Sequence, residues 1–214
     1  MMRHFNIIIC GVGGTGVIGL GELLREAARL EGCRVLSAET RGSGQRGGPA
    51  TASVRYTTLD ENEDYTDRTA LWSGSVGVGG ADLMIATEVA EALRNAHYLS
   101  EKSRVILNTF TLMPKQTRQE MKSKSLKYPS IEEVVALLHK LTPHVYMANA
   151  SDMSMKHFGS YRMTNALLVG LALARGLLPL KKDIVKSLLQ GDAKDALELG
   201  FQGQSRSESE QNFH

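Results

Sequence analysis

Ile7-Ile8-Ile9 is a β-branched run without a polar break, which predicts a strand buried on both faces. From Val17 to Leu30 the period changes. Val17, Leu20, Leu23, Leu24, Ala27, Ala28 and Leu30 fall on one side of a helix, with Glu22, Arg25, Glu26 and Arg29 on the other. Gly32 suits the left-handed residue past the helix end, and Val35–Ala38 is a second short strand, so strand, helix and strand form a βαβ unit ending at Glu39. Thr51–Tyr56 alternates like a third strand, entered directly from the second. Residues 57 to 80, rich in Thr, Asp, Glu, Gly and Ser, read as a variable connection that can form a hairpin, with Leu71 and Trp72 as packing residues.

The apolar stretch Ala81–Thr87 predicts a core strand, Glu88–Leu99 a helix and Arg104–Asn108 the next strand. Residues 115 to 128 carry Lys115, Arg118, Lys122, Lys124 and Lys127 without apolar periodicity, as a solvated surface or a docking patch for an acidic partner. Ser130 is the expected N-cap of a helix reaching about Leu141, where Pro143 stops it. Val145–Ala150 reads as a further strand and Ser151–His157 as a polar helical turn. Ala166–Ala174 is an apolar helix capped by Thr164 or Asn165, and Lys181–Gln190 the last amphipathic helix. The expected fold is a single Rossmann-like, open, mostly parallel α/β sheet with flanking helices over residues 1–201, followed by a disordered polar tail, 202–214.

Two glycine-rich turns interrupt this pattern. Cys10-Gly-Val-Gly-Gly-Thr-Gly16 lies between the first strand and helix, the order an anion-binding loop needs. Gly11, Gly13, Gly14 and Gly16 let the backbone approach a ligand, and the helix beyond supplies unpaired amides at its positive end. Thr40-Arg-Gly-Ser-Gly-Gln-Arg-Gly-Gly48 forms a tight loop over the carboxyl edge of the sheet, adding Arg41, Gln45 and Arg46 to bare backbone at Gly47 and Gly48. The plainer reading is that the glycines only let the two loops pack together. Glu39 at the end of the second strand invites a dinucleotide reading, in which a carboxylate holds a ribose hydroxyl. Asn108 and Thr109 end a parallel strand, where open sheets keep their ligand crevices; a side-chain amide capping a turn is the alternative.

Composition narrows the chemistry. Lys and Arg exceed Asp and Glu by 25 − 23 = 2 in 214 residues, too close to neutral to argue for a nucleic-acid or membrane surface. No apolar run approaches a membrane span of about 20 residues, and Met1–Asn6 leads straight into the first strand without a signal sequence. Only Cys10 and Cys33 are present, which fits a reducing cytosol and cannot supply the four ligands of an iron–sulfur cluster. The six histidines show no metal-binding spacing, so no metal site is expected, and GxSxG and P-loop motifs are missing. Lys156 and His157 read as exposed helix residues.

Together these features resemble the gamma-type subunits of 2-oxoacid:ferredoxin oxidoreductases, the pyruvate/ketoisovalerate oxidoreductase domain family, and its indolepyruvate branch in particular. The resemblance covers about residues 5 to 190. It rests on Gly11–Gly16, on Gln45-Arg-Gly-Gly48 running into Ser53–Arg55, and on Ala81–Leu83 with Glu88 and Ala92-Leu93. Tyr98-Leu99, Val105–Thr109, Tyr128-Pro129, and Gly159 with Asn165 complete it. Arg41–Gly44 stands where the family commonly has a His-Gly-Met-Ala-like segment.

The resemblance implies a subunit of an enzyme that decarboxylates a 2-oxoacid, an aryl pyruvate such as indolepyruvate, to an acyl-coenzyme A. Thiamine diphosphate, Mg and iron–sulfur clusters would belong to a large partner subunit, with ferredoxin reached through the complex and coenzyme A as co-substrate. This chain would bind none of these cofactors alone, since it has no Gly-Asp-Gly diphosphate motif. On that reading Arg41, Gln45 and Arg46 complete the partner's active site. Gly11, Gly13, Gly14, Gly16, Gly47, Gly48, Asn108 and Asn165 form the cofactor-facing edge. The alternatives are a free-standing NAD- or nucleotide-binding oxidoreductase and a non-catalytic scaffold of the same fold.

Overall fold

The computed structural model describes residues 3–42, 47–58, 71–113, 118–119, 121 and 127–211. Gln45, Arg46 and most of the basic stretch 115–128 lie outside the described residues. Six strands form one sheet in the order β2-β3-β1-β4-β5-β6, where β1 is Arg3–Val12, β2 Arg34–Arg41, β3 Pro49–Thr58, β4 Leu83–Ala86, β5 Arg104–Asn108 and β6 His144–Ala148. β1, β4, β5 and β6 run parallel, while β3 pairs antiparallel with both β1 and β2.

The expected βαβ unit is therefore not a neighbouring pair. The chain reverses after β2 through the second glycine turn, and β3 occupies the slot beside β1 over the full register Arg3↔Thr58 to Val12↔Pro49. Ten paired residues bury Ala50, Ala52, Val54 and Tyr56 beneath the first helix, whereas β2 at the edge stays largely exposed.

The three-residue run Ile7-Ile8-Ile9 divides between two cores, as alternate side chains of a strand must. Ile7 and Ile9 pack with α1 (Val17–Leu30), and Ile8 and Cys10 with α2 (Val89–Arg94) and α3 (Ile131–His139). Ser130 caps α3 as expected, accepting from the Glu133 amide while the Glu133 carboxylate accepts from the Ser130 amide.

The expected polar turn after β6 is a full helix, α4 (Ala150–Phe158), on which Lys156 and His157 are exposed. The apolar helix α5 (Thr164–Ala174) begins at Thr164 after Met163, with no side-chain cap, so the expected capping by Thr164 or Asn165 is not made. It is covered by α7 (Asp192–Gln211), which follows the short α6 (Lys182–Ser187) and was not anticipated. Ala196 and Leu197 of α7 are fully buried in the α5 core, and the helix runs to Gln211, past residue 202 where a disordered tail was expected.

In the described part of the 57–80 connection, residues 71–80 cross the polar face of β3 as a strap rather than a strand. Arg55 donates to the Ser73 and Ser75 carbonyls at 2.9 and 3.1 Å, and Ser53 Oγ donates to Gly74 O at 2.7 Å. Trp72, read as a packing residue, instead projects from this strap and is 82% exposed. The strap is held through its carbonyls by the polar side chains of β3.

Candidate functional site at the carboxyl edge

The loops that follow β1, β4, β5 and β6 converge on one edge, where the parallel strands deliver their carboxyl ends. Gly11, the last glycine inside β1, allows the nearest of these approaches. A Cβ there would land on Thr87 Oγ1 and 2.9 Å from Val17 Cγ2, so the loop after β4 can lie flush on the first turn of α1. Thr87 donates its amide to Cys10 O at 2.8 Å, and its hydroxyl lies 3.3 Å from that of Thr15.

Gly16 holds φ 83°, a left-handed conformation that costs other residues more than glycine. It is the N-cap of α1 and makes no side-chain cap, so the first helical amides remain donors without an intrahelical partner. Leu20 is the first residue to close the helix, donating to Gly16 O at 2.9 Å.

The two glycine turns are bonded to each other. Gly13 donates to Gly48 O at 2.7 Å and Gly47 to Gly13 O at 2.9 Å. The amides of Gly13 and Gly47 thus hold the turns together and are not available to a ligand, whereas the start of α1 is.

Arg41 lies beside that start. With Gly13, Gly14, Gly16 to Gly19, Pro49 and Ala50 it lines a recess of about 280 Å³. Its guanidinium meets Glu39 at 2.9 Å, and the side chain is exposed. Helix amides and a guanidinium on one recess favour an anion. Glu39 cannot serve the dinucleotide geometry, because β3 separates its strand from β1 and its carboxylate is paired with Arg41.

Asn108 sits at the expected strand end but is fully engaged inside the chain. Its Nδ2 donates to Thr87 O at 3.0 Å and Ser151 Oγ at 2.8 Å, and its Oδ1 accepts from the amides of Ala150 and Ser151. Those bonds use the donors and acceptors of the amide to tie the start of α4 to β4, which is the turn-capping alternative. Asn165 reaches the first turn, donating from Nδ2 to Thr15 O at 3.0 Å, while its buried Oδ1 has no partner.

Beyond this rim lies a cavity of about 400 Å³ between Gly14–Gly16, Thr87, Phe110, Leu112, Ser151, Tyr161, Arg162, Thr164 and Asn165. Sequence reasoning singled out Asn165 here and missed Thr87, Phe110, Tyr161 and Arg162, which only the fold brings together.

Glu88 and Tyr128, two positions of the family-like pattern, are also in contact. Tyr128 donates to Glu88 Oε1 at 2.8 Å and the Leu112 amide to the same oxygen at 3.3 Å, fastening the wall of the cavity to α2. Burial pushes the Glu88 carboxyl above the ordinary range, against these hydrogen bonds. Glu91 is also fully buried, with Arg94 Nε at 3.2 Å on one oxygen and nothing on the other; burial raises its pKa most, and Glu88 adds to the rise. Burial, then Glu91 and Glu88, push the Cys10 thiol up, so it is not a thiolate nucleophile.

A carboxyl group whose folded-state pKa is raised contributes fully at low pH and loses that contribution as pH rises through the folded value. Glu91→Gln is therefore expected to stabilise the chain by about 1 kcal/mol near pH 8. The urea midpoints of the two proteins should converge near pH 4, around the unfolded carboxyl pKa of about 4.3. Among the described residues no three His, Cys, Asp or Glu side chains come together as metal ligands, and no helix is long and apolar enough to cross a membrane.

The fold and this edge define an α/β chain whose glycine-rich rim brings an uncapped helix start and the Arg41 guanidinium to one recess. The chain belongs to the pyruvate ferredoxin/flavodoxin oxidoreductase family, which it matches over residues 6–206. It is 34% identical over 194 residues to the indolepyruvate oxidoreductase subunit IorB of Archaeoglobus fulgidus, covering 91% of this chain and 88% of that one. The IorB of Methanothermobacter thermautotrophicus is 29% identical over 91% of this chain and 90% of its own length.

Among solved structures, the pyruvate oxidoreductase subunit PORC of Thermotoga maritima has the same fold, with a TM-score of 0.59 at 17% identity over 94% of this chain and 96% of that one. The 2-oxoglutarate:ferredoxin oxidoreductase of Magnetococcus marinus matches with a TM-score of 0.65 at 16% identity. That match covers 97% of this chain but 31% of the other, so the fold recurs there as one part of a longer polypeptide. The chain is accordingly a non-autonomous subunit of an oxoacid:ferredoxin oxidoreductase.

Proposed function

We propose that this chain is the small subunit of a cytoplasmic 2-oxoacid:ferredoxin oxidoreductase acting on an aryl pyruvate such as indolepyruvate, and that its glycine-rich rim completes the active site of a larger subunit. The observation that carries the reading is the likeness to IorB over nearly the whole chain, together with a rim that has donors but no reactive group. Residues 1–201 form the domain that docks.

Two cysteines cannot hold a cluster, and no Gly-Asp-Gly motif is present for thiamine diphosphate, so neither group fits this chain. Thiamine diphosphate in the larger subunit would supply carbanion chemistry, and its clusters would carry electrons to ferredoxin. Coenzyme A, by contrast, offers phosphates that the free amides of α1 and Arg41 suit. In this reading Arg41, with Gln45 and Arg46, positions anionic groups and steadies charge that develops across the subunit boundary.

The test is recovery of the native complex through a tag on this chain. A large thiamine- and cluster-containing subunit should co-purify in a fixed ratio. A monodisperse free chain that binds NAD would support the dinucleotide alternative instead.

A further inference from the structure

Phe110 and Tyr161 stand with ring centroids 5.0 Å apart and planes at 43°, at the wall of the 400 Å³ cavity. Neither belongs to the two hydrophobic cores of the sheet, and Tyr161 is 49% exposed. The pair therefore does not serve packing of the main fold. Aromatic walls of this kind take a flat ring by offset or edge-to-face contact.

Polar groups beside the pair complete the description. Arg162 lines the same cavity and has no ion-pair partner among the described residues, and the backbone of Gly14–Gly16 leads there into the start of α1. Asn165, also lining it, keeps its Oδ1 buried without a donor, and the bond from Nδ2 to Thr15 O fixes which way the amide points.

We propose that this cavity binds a planar aromatic ring joined to an anionic group, the ring on Phe110 and Tyr161, the anion toward Arg162 and the α1 amides. Two molecules of the proposed reaction share this chemistry, the adenine nucleotide end of coenzyme A and an aryl 2-oxoacid, so the identity of the ligand rests on that reaction while the pocket does not.

The test uses Tyr161→Ala, Tyr161→Phe and Arg162→Ala, all at exposed positions. Calorimetry of the full chain with coenzyme A and with indole-3-pyruvate is paired with Michaelis constants of the assembled complex. Tyr161→Ala should weaken one probe about tenfold and Tyr161→Phe should restore it. Arg162→Ala should weaken that same probe but not its uncharged analogue, adenosine or indole.

A rise in the constant for coenzyme A alone assigns the adenine; a rise for the aryl oxoacid but not for pyruvate assigns the substrate side chain. Affinities and Michaelis constants that ignore Tyr161→Ala in an active complex overturn the proposal. An inactive wild-type complex would instead count against the functional reading, and calorimetry would still decide the pocket.

Discussion

Gly170→Ala is expected to unfold the far side of the molecule at markedly lower urea concentration, a loss of at least about 3 kcal/mol. Helices α5 and α7 touch backbone to backbone. A Cβ on Gly170 would strike the Leu197 carbonyl oxygen and lie 2.8 Å from the Phe201 amide, and one on Gly200 would strike the Leu167 carbonyl. These are main-chain atoms of buried helices, so no side-chain rotation relieves the overlap; the helices must part, exposing Leu167, Leu168 and Leu197. Gly19→Ala provides the contrast. Its Cβ would meet nothing within 4 Å, and in the α1 helix it should stabilise by about 0.5–1 kcal/mol. Urea midpoints of the two variants compare helix propensity with overlap directly.

Arg41→Ala, and likewise Arg46→Ala, is expected to lower kcat of the assembled complex about tenfold or more while leaving the subunits associated. Arg41 is half exposed and, among the described residues, bonded only to Glu39, another surface group, so its removal leaves the core intact and stability within about 0.5 kcal/mol. An exposed guanidinium that affects turnover but not stability must act on something outside the chain. Size-exclusion profiles and steady-state rates on the same preparation make the comparison. Unchanged turnover in both variants would remove the arginines from the site and leave the glycines as a packing device, which the mutual bonds of Gly13, Gly47 and Gly48 already serve.

Much of the fold was legible in the sequence because local pattern and burial agree. Ile7-Ile8-Ile9 has two cores to fill, α1 has one apolar stripe, and Ser130 with Glu133 closes its helix by a local device. The place of β3 was not legible. Whether β2 or β3 lies beside β1 depends on a ten-residue pairing between distant segments, and either order satisfies the same alternation. The helix α7 escaped notice because its contact with α5 is built from Ala196, Leu197 and Gly200, a short stripe of mostly small residues inside a polar sequence.

The candidate site divides in the same way. The glycine turns announce themselves by composition, and Asn108 by its position at a strand end, although its hydrogen bonds turn out to serve the start of α4. Phe110, Tyr161 and Arg162 have no local signal. They meet Gly14 because β1 and β5 end, and α4 and α5 begin, on the same edge, and within residues 158–165 only Asn165 was read toward that destination.

The central claim is that chemistry at this rim belongs to two polypeptides together. Ferredoxin reduction with an aryl 2-oxoacid and coenzyme A, measured for this chain alone, for the large subunit alone and for both, tests it most directly. Turnover only when both are present is the predicted result; full turnover by either polypeptide by itself would contradict it.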